Sequence, residues 1–414
     1  MNILLVNHYA GSPALGMEYR PYYLAREWVR LGHRVLIAAA SHSHVRARQP
    51  QLNGAMADES IDGIAYRWYA APSYLGNGLG RVLNIWAFLR ALWRDTPRLV
   101  REFAPDVVIA SSTYPMDIWV ARRIARRARA KLVYEVHDLW PLSPIELSGM
   151  SPRHPFIRLV QAAEDAAYRD AVIVVSMLPK VHDYMASRGL DLARLHIVPN
   201  GVAPEEWAGE PQPLTAEMIA TLAHVRVAHS PGGGQRLIVG YAGSMGRPNA
   251  LDTLLDAAAL LRDEPIAFVL VGDGHERAQL AQRVGDEKLT NVQLLPPVPK
   301  AQVRALLAQF DIAYIGWQPQ PIYRFGIAPN KLMDYMMAAR PVLHSVQAGN
   351  DPVAEAGCGL TVPPGDAAAV AAGLRRLAAL PAAERAAMGE RGRAFVSAHH
   401  LYPVLARRFL EALA

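Results

Sequence analysis

The residues best suited to chemistry form one short segment, 325–336, in a chain of 414 residues. It reads FGIAPNKLMDYM, and Pro329 predicts the first turn of a helix, whose free backbone N–H groups bind anions. Lys331 adds a positive charge, and Asp334, one turn later, can accept hydrogen bonds from ribose hydroxyls. A structural helix start would not require all three features, so the segment predicts a site for a phosphorylated ligand.

Two glycine-containing loops follow predicted strands in the same half of the chain. The first holds Gly243, Ser244, Gly246 and Arg247, and the second holds Gly272, Asp273 and Gly274. Glycines let the backbone approach a diphosphate and Arg247 can supply charge, although a plain glycine turn has the same composition. Asp273 either caps the following helix or binds a ligand hydroxyl. Neither loop has the GxGxxG spacing of a dinucleotide-dependent dehydrogenase, so that class is not supported.

In the first half, a histidine and an aspartate follow the predicted strand Leu132–Val136. His137 and Asp138 would lie at the carboxyl end of a central strand, where parallel sheets bind ligands, and they are the candidate catalytic residues. The alternative is a hydrogen-bonded structural histidine with Asp138 as a turn residue. The loop after the first strand would face them with His8, Gly11, Ser12 and Gly16.

The elements that position these residues alternate between strand and helix. Strands are predicted at Ile3–Asn7, Arg34–Ala38, Ile64–Trp68, Val107–Ala110, Leu132–Val136 and Val172–Val175, and then at Leu237–Tyr241, Phe268–Val271, Val292–Leu294, Ile312–Ile315 and Val342–His344. Helical spacing lies between many of them, as in Tyr19–Leu31 and Pro329–Ala339. This alternation predicts an α/β fold with two doubly wound parallel sheets.

A proline-rich stretch that begins near Pro204 marks a boundary between two domains. We predict an N-terminal domain at 1–200 and a C-terminal domain at 201–398. The helix at 399–414 follows the second sheet, and we expect it to pack back on the first domain. Residues 209–235 are predicted to be an irregular insertion, with a helix at Ala216–Val227 and a mobile glycine run.

Charge and cysteine content narrow the choice of partner and compartment. Residues 1–195 carry 24 Lys and Arg against 17 Asp and Glu, a net charge of +7, whereas 196–414 carry 19 against 20. A basic first half suits an anionic partner, or it reflects solvated arginine-rich helices.

The single cysteine, Cys358, excludes an internal disulfide, and neither a secretory signal nor a membrane span is recognised. We therefore expect a cytoplasmic protein.

One stretch, residues 81–94, suggests a contact with the inner face of the cytoplasmic membrane. Val82–Arg94 is a predicted amphipathic helix rich in tryptophan, with arginines at its ends. It would either rest on a membrane that bears a polyprenyl-diphosphate acceptor or form a buried core helix. A nucleic-acid partner is not expected, because the arginines lack an interleaved aromatic platform.

In order and spacing, four motifs together resemble the retaining glycosyltransferases of family 4, which have the GT-B fold. The motifs are Tyr241–Ser244, Val271–Gly274, Pro329–Met336 and Gly359–Asp366. Glu135–Pro141 resembles a bacterial branch that builds lipopolysaccharide O-chains and capsules, several members of which transfer N-acetylated amino or deoxyamino sugars. The resemblance spans essentially the whole chain and implies two Rossmann-like domains that face each other across a cleft.

The resemblance also implies roles for individual residues. It implies a nucleotide-sugar donor, UDP-linked by family frequency, on the second domain and an acceptor on the first. Lys331 and the loop 243–247 would face the diphosphate, and Asp334 would hold the ribose. His137 would lie near the transferred sugar, and the backbone at Val298 near the base. The remaining donor contacts would be Gly326, Ile327, Ala328, Pro329 and Asn330.

Two positions depart from the family pattern of two glutamates separated by seven residues. Gly326 stands at the first, which lies near the sugar, and Asp334 stands at the second with a side chain one methylene shorter. The basic pair of the first phosphate loop is reduced to Arg247. Either the backbone of 326–328 contacts the sugar instead, or donor recognition is atypical.

The sequence contains no Asp-x-Asp triplet, so we expect transfer without a metal or another cofactor. Arg247 and Lys331, with a helix N-terminus, would stabilise the leaving diphosphate. By resemblance, the reaction retains the anomeric configuration through front-side attack. Two other functions stay open: a nucleotide-sugar epimerase and a non-catalytic nucleotide-sugar-binding protein.

Overall fold

The computed structural model describes residues 1–16, 19–74, 76, 78–227 and 234–413, and its chain divides into two compact units. Unit 1 is Met1–Asn200 together with the C-terminal segment from Tyr402, and unit 2 is Gly201–Leu401. The glycine run that we expect to be mobile begins at Gly232, and all of it except Gly234 lies outside the described residues.

Unit 1 contains one sheet of eight strands. They are β1 (Asn2–Val6), β2 (Arg34–Ala40), β3 (Met56–Ile61), β4 (Ile64–Tyr69), β5 (Val107–Ala110), β6 (Lys131–Val136), β7 (Ile173–Ser176) and β8 (Leu195–Ile197). Their order in the sheet is β3-β4-β2-β1-β5-β6-β7-β8. Every neighbouring pair is parallel except the hairpin of β3 and β4. The central strands are apolar and buried along almost their whole length, as expected for a parallel sheet covered on both faces.

Seven helices belong to the described part of unit 1. They are α1 (Tyr19–Arg30), α2 (Leu79–Glu102), α3 (Asp117–Ala128), α4 (Leu142–Ser148), α5 (Pro155–Asp170), α6 (His182–Ser187) and α15 (Tyr402–Leu413). The last helix, α15, packs on α1. Trp28 Nε1 donates to Ala406 O at 3.2 Å, and the ring centroids of Trp28 and Phe409 are 5.1 Å apart. Within the described ranges, no helix combines the length and hydropathy needed to span a bilayer.

Unit 2 is built around a second, fully parallel sheet of six strands. They are β9 (Leu237–Ala242), β10 (Ile266–Val271), β11 (Val292–Leu295), β12 (Ile312–Gly316), β13 (Val342–Ser345) and β14 (Gly359–Thr361), in the order β11-β10-β9-β12-β13-β14. The helices are α7 (Ala216–Val227), α8 (Leu251–Leu260), α9 (Arg277–Asp286), α10 (Val303–Leu307), α11 (Asn330–Met337), α12 (Pro352–Ala356), α13 (Ala367–Ala379) and α14 (Ala382–His399). Two apolar clusters fill this unit.

Helix α11, which carries the lysine and aspartate singled out above, is packed from behind by α14. At Gly389, a Cβ would lie 1.9 Å from the carbonyl oxygen of Ala339, two residues past the end of α11. Only a glycine fits there without movement of one of the two segments.

The sequence pattern does not predict β3, β8 or β14. β3 reads MADESI, and its central residues are exposed, so it lacks the apolar alternation that marks a strand. It forms because it pairs with β4 across a tight turn at Asp62 and Gly63, which have φ of +51° and +79°. The strands β8 and β14 are only three residues each, at sheet edges.

Two helices of unit 2 begin later than predicted, for reasons of backbone conformation. The helix expected from Pro329 begins at Asn330, because Pro329 has an extended ψ of 128° and precedes the first helical residue. Helical spacing predicts another helix at Asn249–Leu261, but α8 begins at Leu251, because Arg247–Asn249 form a separate 3-10 turn and Ala250 has a φ of +47°.

Candidate functional site

The loops after β9 and β10 pack backbone against backbone. Gly272 and Gly274 have φ of +151° and +155°, and a Cβ on them would lie 1.9 Å from Gly243 O and 2.3 Å from Met245 O. Met245 N also donates to the carbonyl of Asp273 at 2.8 Å. Because neither glycine position has room for a side chain, the two predicted loops form one continuous shelf of main chain. The shelf adjoins β9, where the strand order of the sheet reverses, the usual place for a ligand in such sheets.

Lys331 points its ammonium group at this shelf. Its Nζ lies 2.7 Å from Tyr241 Oη and 2.8 Å from Asn249 Oδ1, and 4.3 Å from the centre of the Tyr241 ring. A Cβ on Gly243 would be only 3.0 Å from Nζ, so the glycine leaves the ammonium access to the main chain. Burial lowers the pKa of Lys331 to about 8. The structure thus brings together the lysine and the first glycine loop, which are separate in the sequence.

The partners of Lys331 hold the loop as well as the lysine. Tyr241 Oη donates to the carbonyl of Ser244 at 2.5 Å, and Asn249 Nδ2 donates to the same oxygen at 2.9 Å. The sequence reasoning missed Asn249, which lies two residues after Arg247 in the first glycine loop. A neutral amide gives no signal by type, and its role follows only from the turn that aims it at Lys331.

Helix α11 is tied to the end of β9 by Tyr335. The main-chain N–H of Ala242 donates to Tyr335 Oη at 2.9 Å, and this hydroxyl lies 3.3 Å from the Ala242 carbonyl oxygen. Asp334, next to Tyr335, is half-buried and makes no side-chain hydrogen bond to any residue in the described ranges. Burial raises the pKa of Asp334 to about 7. A carboxylate in this state gains by accepting hydrogen bonds from a ligand's hydroxyls, which favour its charged form.

Two other predicted donor residues stand apart from these contacts. Arg247 is exposed and forms no ion pair with a described residue. Val298 is half-buried against the apolar core of unit 2, in the loop between β11 and the 3-10 turn at Lys300–Gln302. Contact of Arg247 with a diphosphate and of Val298 with a base stay predictions.

Asp273 does not cap the following helix, which corrects one of its two interpretations. Its Oδ1 accepts the main-chain N–H of Gly274 at 2.8 Å, whereas α9 begins at Arg277 after Glu276. The exposed Asp273 side chain therefore stabilises the glycine loop locally. The interpretation as a ligand contact stays a prediction.

Backbone groups in the segment before α11 are hydrogen-bonded to other residues of unit 2. Gly326 N donates to Tyr323 O at 2.9 Å. The Asn350 side chain binds both main-chain groups of Ile327: Asn350 Oδ1 accepts the Ile327 N–H at 2.7 Å, and Asn350 Nδ2 donates to the Ile327 carbonyl at 3.1 Å. The N–H groups of Gly326 and Ile327 are thus already satisfied. Contact of the sugar with other groups of the 326–328 backbone stays a prediction. Ala328, Pro329 and Asn330 complete the turn into α11.

The conformation of Gly326 explains why a side chain is unfavourable at this position. Its φ of +103° and ψ of 174° lie in a region that is populated almost only by glycine. The residue is also buried. In this chain, the backbone conformation at position 326 therefore favours a glycine, independently of whether a carboxylate is needed there.

In unit 1, His137 belongs to a buried polar network at the carboxyl ends of β5 and β6. Ser111 Oγ donates to Glu135 Oε2 at 2.6 Å and lies 3.0 Å from His137 Nε2, which is 3.3 Å from the same carboxylate oxygen. Burial by itself raises the pKa of Glu135, but the charge of Arg20 and the contacts with His137 and Ser111 hold the pKa at about 2. His137 thus lies beside a permanent negative charge.

Arg20 links this network to residues 198–199, at the end of the first chain segment of unit 1. Its Nε donates to Glu135 Oε1 at 3.0 Å, while its two terminal nitrogens donate to the carbonyls of Pro199 at 2.6 Å and Val198 at 2.8 Å. The sequence reasoning missed Arg20, Ser111 and Glu135. A carboxylate in the apolar strand KLVYEV was the available signal for Glu135, because a buried charge needs a partner.

The other predicted residues of unit 1 differ in access. Asp138 is exposed. His8 is fully buried, with Nδ1 2.5 Å from Tyr114 Oη and Nε2 2.6 Å from Asn84 Oδ1, and burial lowers its pKa to about 3. A ligand contact of the His8 ring stays a prediction, but a hydrogen bond to either ring nitrogen would require the existing bond at that nitrogen to break.

The small residues after β1 shape the loop tightly. The carbonyl of Gly11 accepts from Tyr66 Oη at 2.9 Å, and Ser12 O accepts the N–H of Gly16 at 2.9 Å. Ser12 Oγ is buried and has no hydrogen-bond partner among the described residues. A Cβ on Gly16 would lie 2.9 Å from the main-chain nitrogen of Ala47. The close approach to Ala47 accounts for the glycine at position 16, whereas the contact of Gly11 uses only its main-chain carbonyl. The serine hydroxyl is left unaccounted for.

The chain has two α/β units with largely parallel sheets whose strand order reverses near the centre. In the second, a lysine lies against glycine loops and a carboxylate follows one turn later on the same helix. These are features of a GT-B glycosyltransferase. Two family models match the chain: a glycosyl transferase 4-like domain over residues 16–201 and glycosyl transferases group 1 over residues 236–379. The chain belongs to these glycosyltransferases. The fold class and the family predicted from the motifs are confirmed.

Relatives and solved structures agree with this membership. A putative colanic acid biosynthesis glycosyl transferase, WcaI of Escherichia coli strain K12, is 28% identical over 69% of this chain and 69% of its own. The fold matches Anabaena Alr3699/HepE in complex with UDP and glucose, with a TM-score of 0.65 and 17% identity over 100% and 99% of the two chains. It also matches WaaG, a glycosyltransferase involved in lipopolysaccharide biosynthesis, with a TM-score of 0.64 and 16% identity over 98% of each chain.

Proposed function

We propose that the protein transfers a sugar from a UDP-sugar to a glycan or lipid-linked acceptor during the synthesis of a cell-surface polysaccharide. WaaG and WcaI, named for lipopolysaccharide and colanic acid biosynthesis, support the process, and the UDP complex of HepE supports the nucleotide. The transferred sugar is an N-acetylated amino or deoxyamino sugar, as the Glu135–Pro141 motif suggests. The reaction takes place on the cytoplasmic side of the membrane.

The observation that carries this proposal is the position of Lys331 against the glycine shelf. Departure of a nucleoside diphosphate develops negative charge, and a fixed cation near main-chain N–H groups stabilises it. Lys331 is held by Tyr241 and Asn249 before any ligand arrives, so little reorganisation is needed. The same charge replaces a metal in the proposed mechanism. Asp334 would receive the ribose hydroxyls one turn further along α11.

His137 is the proposed contact to the transferred sugar. Its ring is only 8% exposed and is held by Ser111 and Glu135, so its orientation is fixed. The acceptor hydroxyl would attack from the side of the leaving phosphate, which takes up its proton, and the anomeric configuration would be retained. The ¹H NMR coupling of the product's anomeric proton tests this step, and an inverted product would rule out front-side attack.

A turnover experiment separates transfer from its alternatives. The protein is incubated with a panel of UDP-sugars, with and without lipid-linked acceptors. Acceptor-dependent release of UDP supports transfer, a changed sugar on an intact nucleotide supports an epimerase, and binding without turnover supports a non-catalytic protein. Lys331→Ala should lower the rate about 100-fold, the usual order for loss of one stabilising group. Lys180→Ala, at an exposed lysine of unit 1, is the matched control.

We also propose that residues 81–94 contact the membrane. They lie in α2, whose outward face exposes Leu83, Trp86 and Trp93 at 63%, 55% and 43%, while Phe88 and Leu92 are buried. The outward face of this helix is therefore apolar and exposed to solvent, and the alternative of a wholly buried core helix does not hold. Liposome flotation of the wild type against Trp86→Glu/Trp93→Glu tests the contact. Unchanged flotation of the folded variant would count against it.

A further inference from the structure

A groove of about 520 Å³ opens on unit 1 between α2, the start of α3 and α5. Its walls are almost wholly apolar and include Trp86, Leu89, Trp93, Trp119, Phe156 and Leu159. Two of these side chains, Trp86 and Leu159, are 55% and 37% exposed. The volume lies in the range of sites that bind small molecules, and exposed apolar surface of this kind marks a binding site.

The concave shape of the groove favours a ligand that can enter it over a flat membrane surface. A flat membrane surface would touch the tips of Trp86 and Trp93 but would not reach Leu89, which is buried at 6% exposure and still lines the groove. A single hydrocarbon chain can enter such a space. Each buried methylene would then contribute about 0.8 kcal/mol of transfer free energy.

The charges at the groove favour an anionic amphiphile over a neutral one. Arg90 and Arg94 lie one helical turn apart on α2, both are exposed, and both line the groove. Neither forms an ion pair with a residue of the described ranges, and no carboxylate is among the groove's lining residues. Arg123 adds a third positive charge, with its guanidinium 4.3 Å from the centre of the Trp93 ring.

We propose that this groove binds the hydrocarbon chain of a lipid phosphate, and that Arg90 and Arg94 pair with its phosphate. The proposal deepens the proposed function and rests on it only in taking the lipid phosphate to be the carrier of the acceptor. Chain and phosphate are then held in a single orientation on unit 1. The membrane contact of residues 81–94 would place the groove's mouth at the surface from which the lipid is drawn.

Farnesyl monophosphate, kept below its micelle concentration, is a suitable probe, and equilibrium dialysis measures its binding to the full-length protein. We expect saturable binding, weaker binding of farnesol and none of inorganic phosphate. Arg90→Gln/Arg94→Gln should weaken binding of farnesyl monophosphate about tenfold and leave farnesol unchanged, since only the charged head is affected. Equal loss for both ligands would overturn the assignment of the phosphate to these arginines.

A matched pair of variants on α2 tests the groove itself. Trp86→Glu places a charge in the groove wall, whereas Leu83→Glu places the same charge on an exposed side chain that does not line it. We expect about a tenfold loss for Trp86→Glu and no change for Leu83→Glu, with circular dichroism confirming that both fold. Equal losses, or no binding by the wild type, would overturn the proposal.

The binding experiments and the turnover experiment can contradict their two proposals independently. If the groove does not bind farnesyl monophosphate, acceptor-dependent UDP release in the turnover assay can still establish transfer. If no UDP is released with any sugar and acceptor, saturable binding of farnesyl monophosphate still establishes the groove as a lipid-phosphate site.

Discussion

The carboxylate of Glu135 lies 3.3 Å from Nε2 of His137, at the centre of the polar network of unit 1. Glu135 is also the only counter-charge of the buried Arg20 among the ion pairs of the described residues. The histidine's environment and the anchoring of residues 198–199 by Arg20 therefore depend on one side chain.

Glu135→Gln keeps the shape of this side chain and removes its charge. Because Arg20 would remain buried without its partner, we expect the free energy of unfolding to fall by about 3 kcal/mol. Urea denaturation measures this. Asp183→Asn, at an exposed carboxylate of α6, provides the control, and a loss no larger than that of the control would contradict the role of the pair.

The low pKa of Glu135 also predicts how stability depends on pH. The pKa is about 2 in the folded protein and near its ordinary value of 4.5 in the unfolded chain. The stabilisation is therefore present above pH 4.5 and is lost as pH falls from 4.5 towards 2. Comparing wild type and Glu135→Gln by urea denaturation across this range should show the difference between them narrowing with acid, and a constant difference would contradict the assignment.

Because of Lys331, we expect the affinity for UDP to depend on pH above neutrality. Its pKa of about 8 in the free protein should rise when a diphosphate lies beside it, since an opposite charge favours the charged form. Affinity is therefore highest below pH 8 and falls as pH rises beyond it, with uptake of a proton on binding. Isothermal titration calorimetry at pH 8.5, in two buffers of different ionisation enthalpy, measures that proton. Lys331→Met should abolish the uptake and Lys180→Met should not.

Asp334 can be tested with a ligand that lacks the hydroxyl it would bind. Asp334→Asn should weaken UDP binding by about 1.5–3 kcal/mol, the usual contribution of a hydrogen bond to a charged group. With 2′,3′-dideoxy-UDP, the same substitution should have little effect, because the partner hydroxyls are absent. If the variant loses equal affinity for both ligands, Asp334 does not hold the ribose.

Introducing the glutamate of the family pattern at Gly326 should not raise turnover. The backbone there has a φ of +103°, so Gly326→Glu should cost about 1–3 kcal/mol of unfolding free energy. Gly326→Ala carries the same backbone strain without the carboxylate and separates the two effects. A gain in turnover for the glutamate variant at unchanged stability would contradict this account.

The arrangement around Lys331 in unit 2 could largely be predicted from the sequence, because the signals for it are local. Buried strands of unit 2 end at glycines, and parallel strands bring their carboxyl ends to one edge, so Gly243 and Lys331 could be expected to meet. The network of unit 1 was not accessible in this way. Arg20, Ser111 and Glu135 come from three distant segments, and only the folded sheet aligns them. Asn350 likewise gives no sign in the sequence that it occupies the peptide groups of Ile327.

The glycine contact between α14 and the end of α11 has a consequence for how this enzyme could be tuned. Gly389 touches no predicted ligand residue, yet a methyl group there would press on Ala339 and so on the helix that carries Lys331 and Asp334. Close-packed interiors transmit such a displacement instead of absorbing it. A substitution at Gly389, or an inhibitor bound to the outer side of α14, would thus shift Lys331 and Asp334 without changing either side chain.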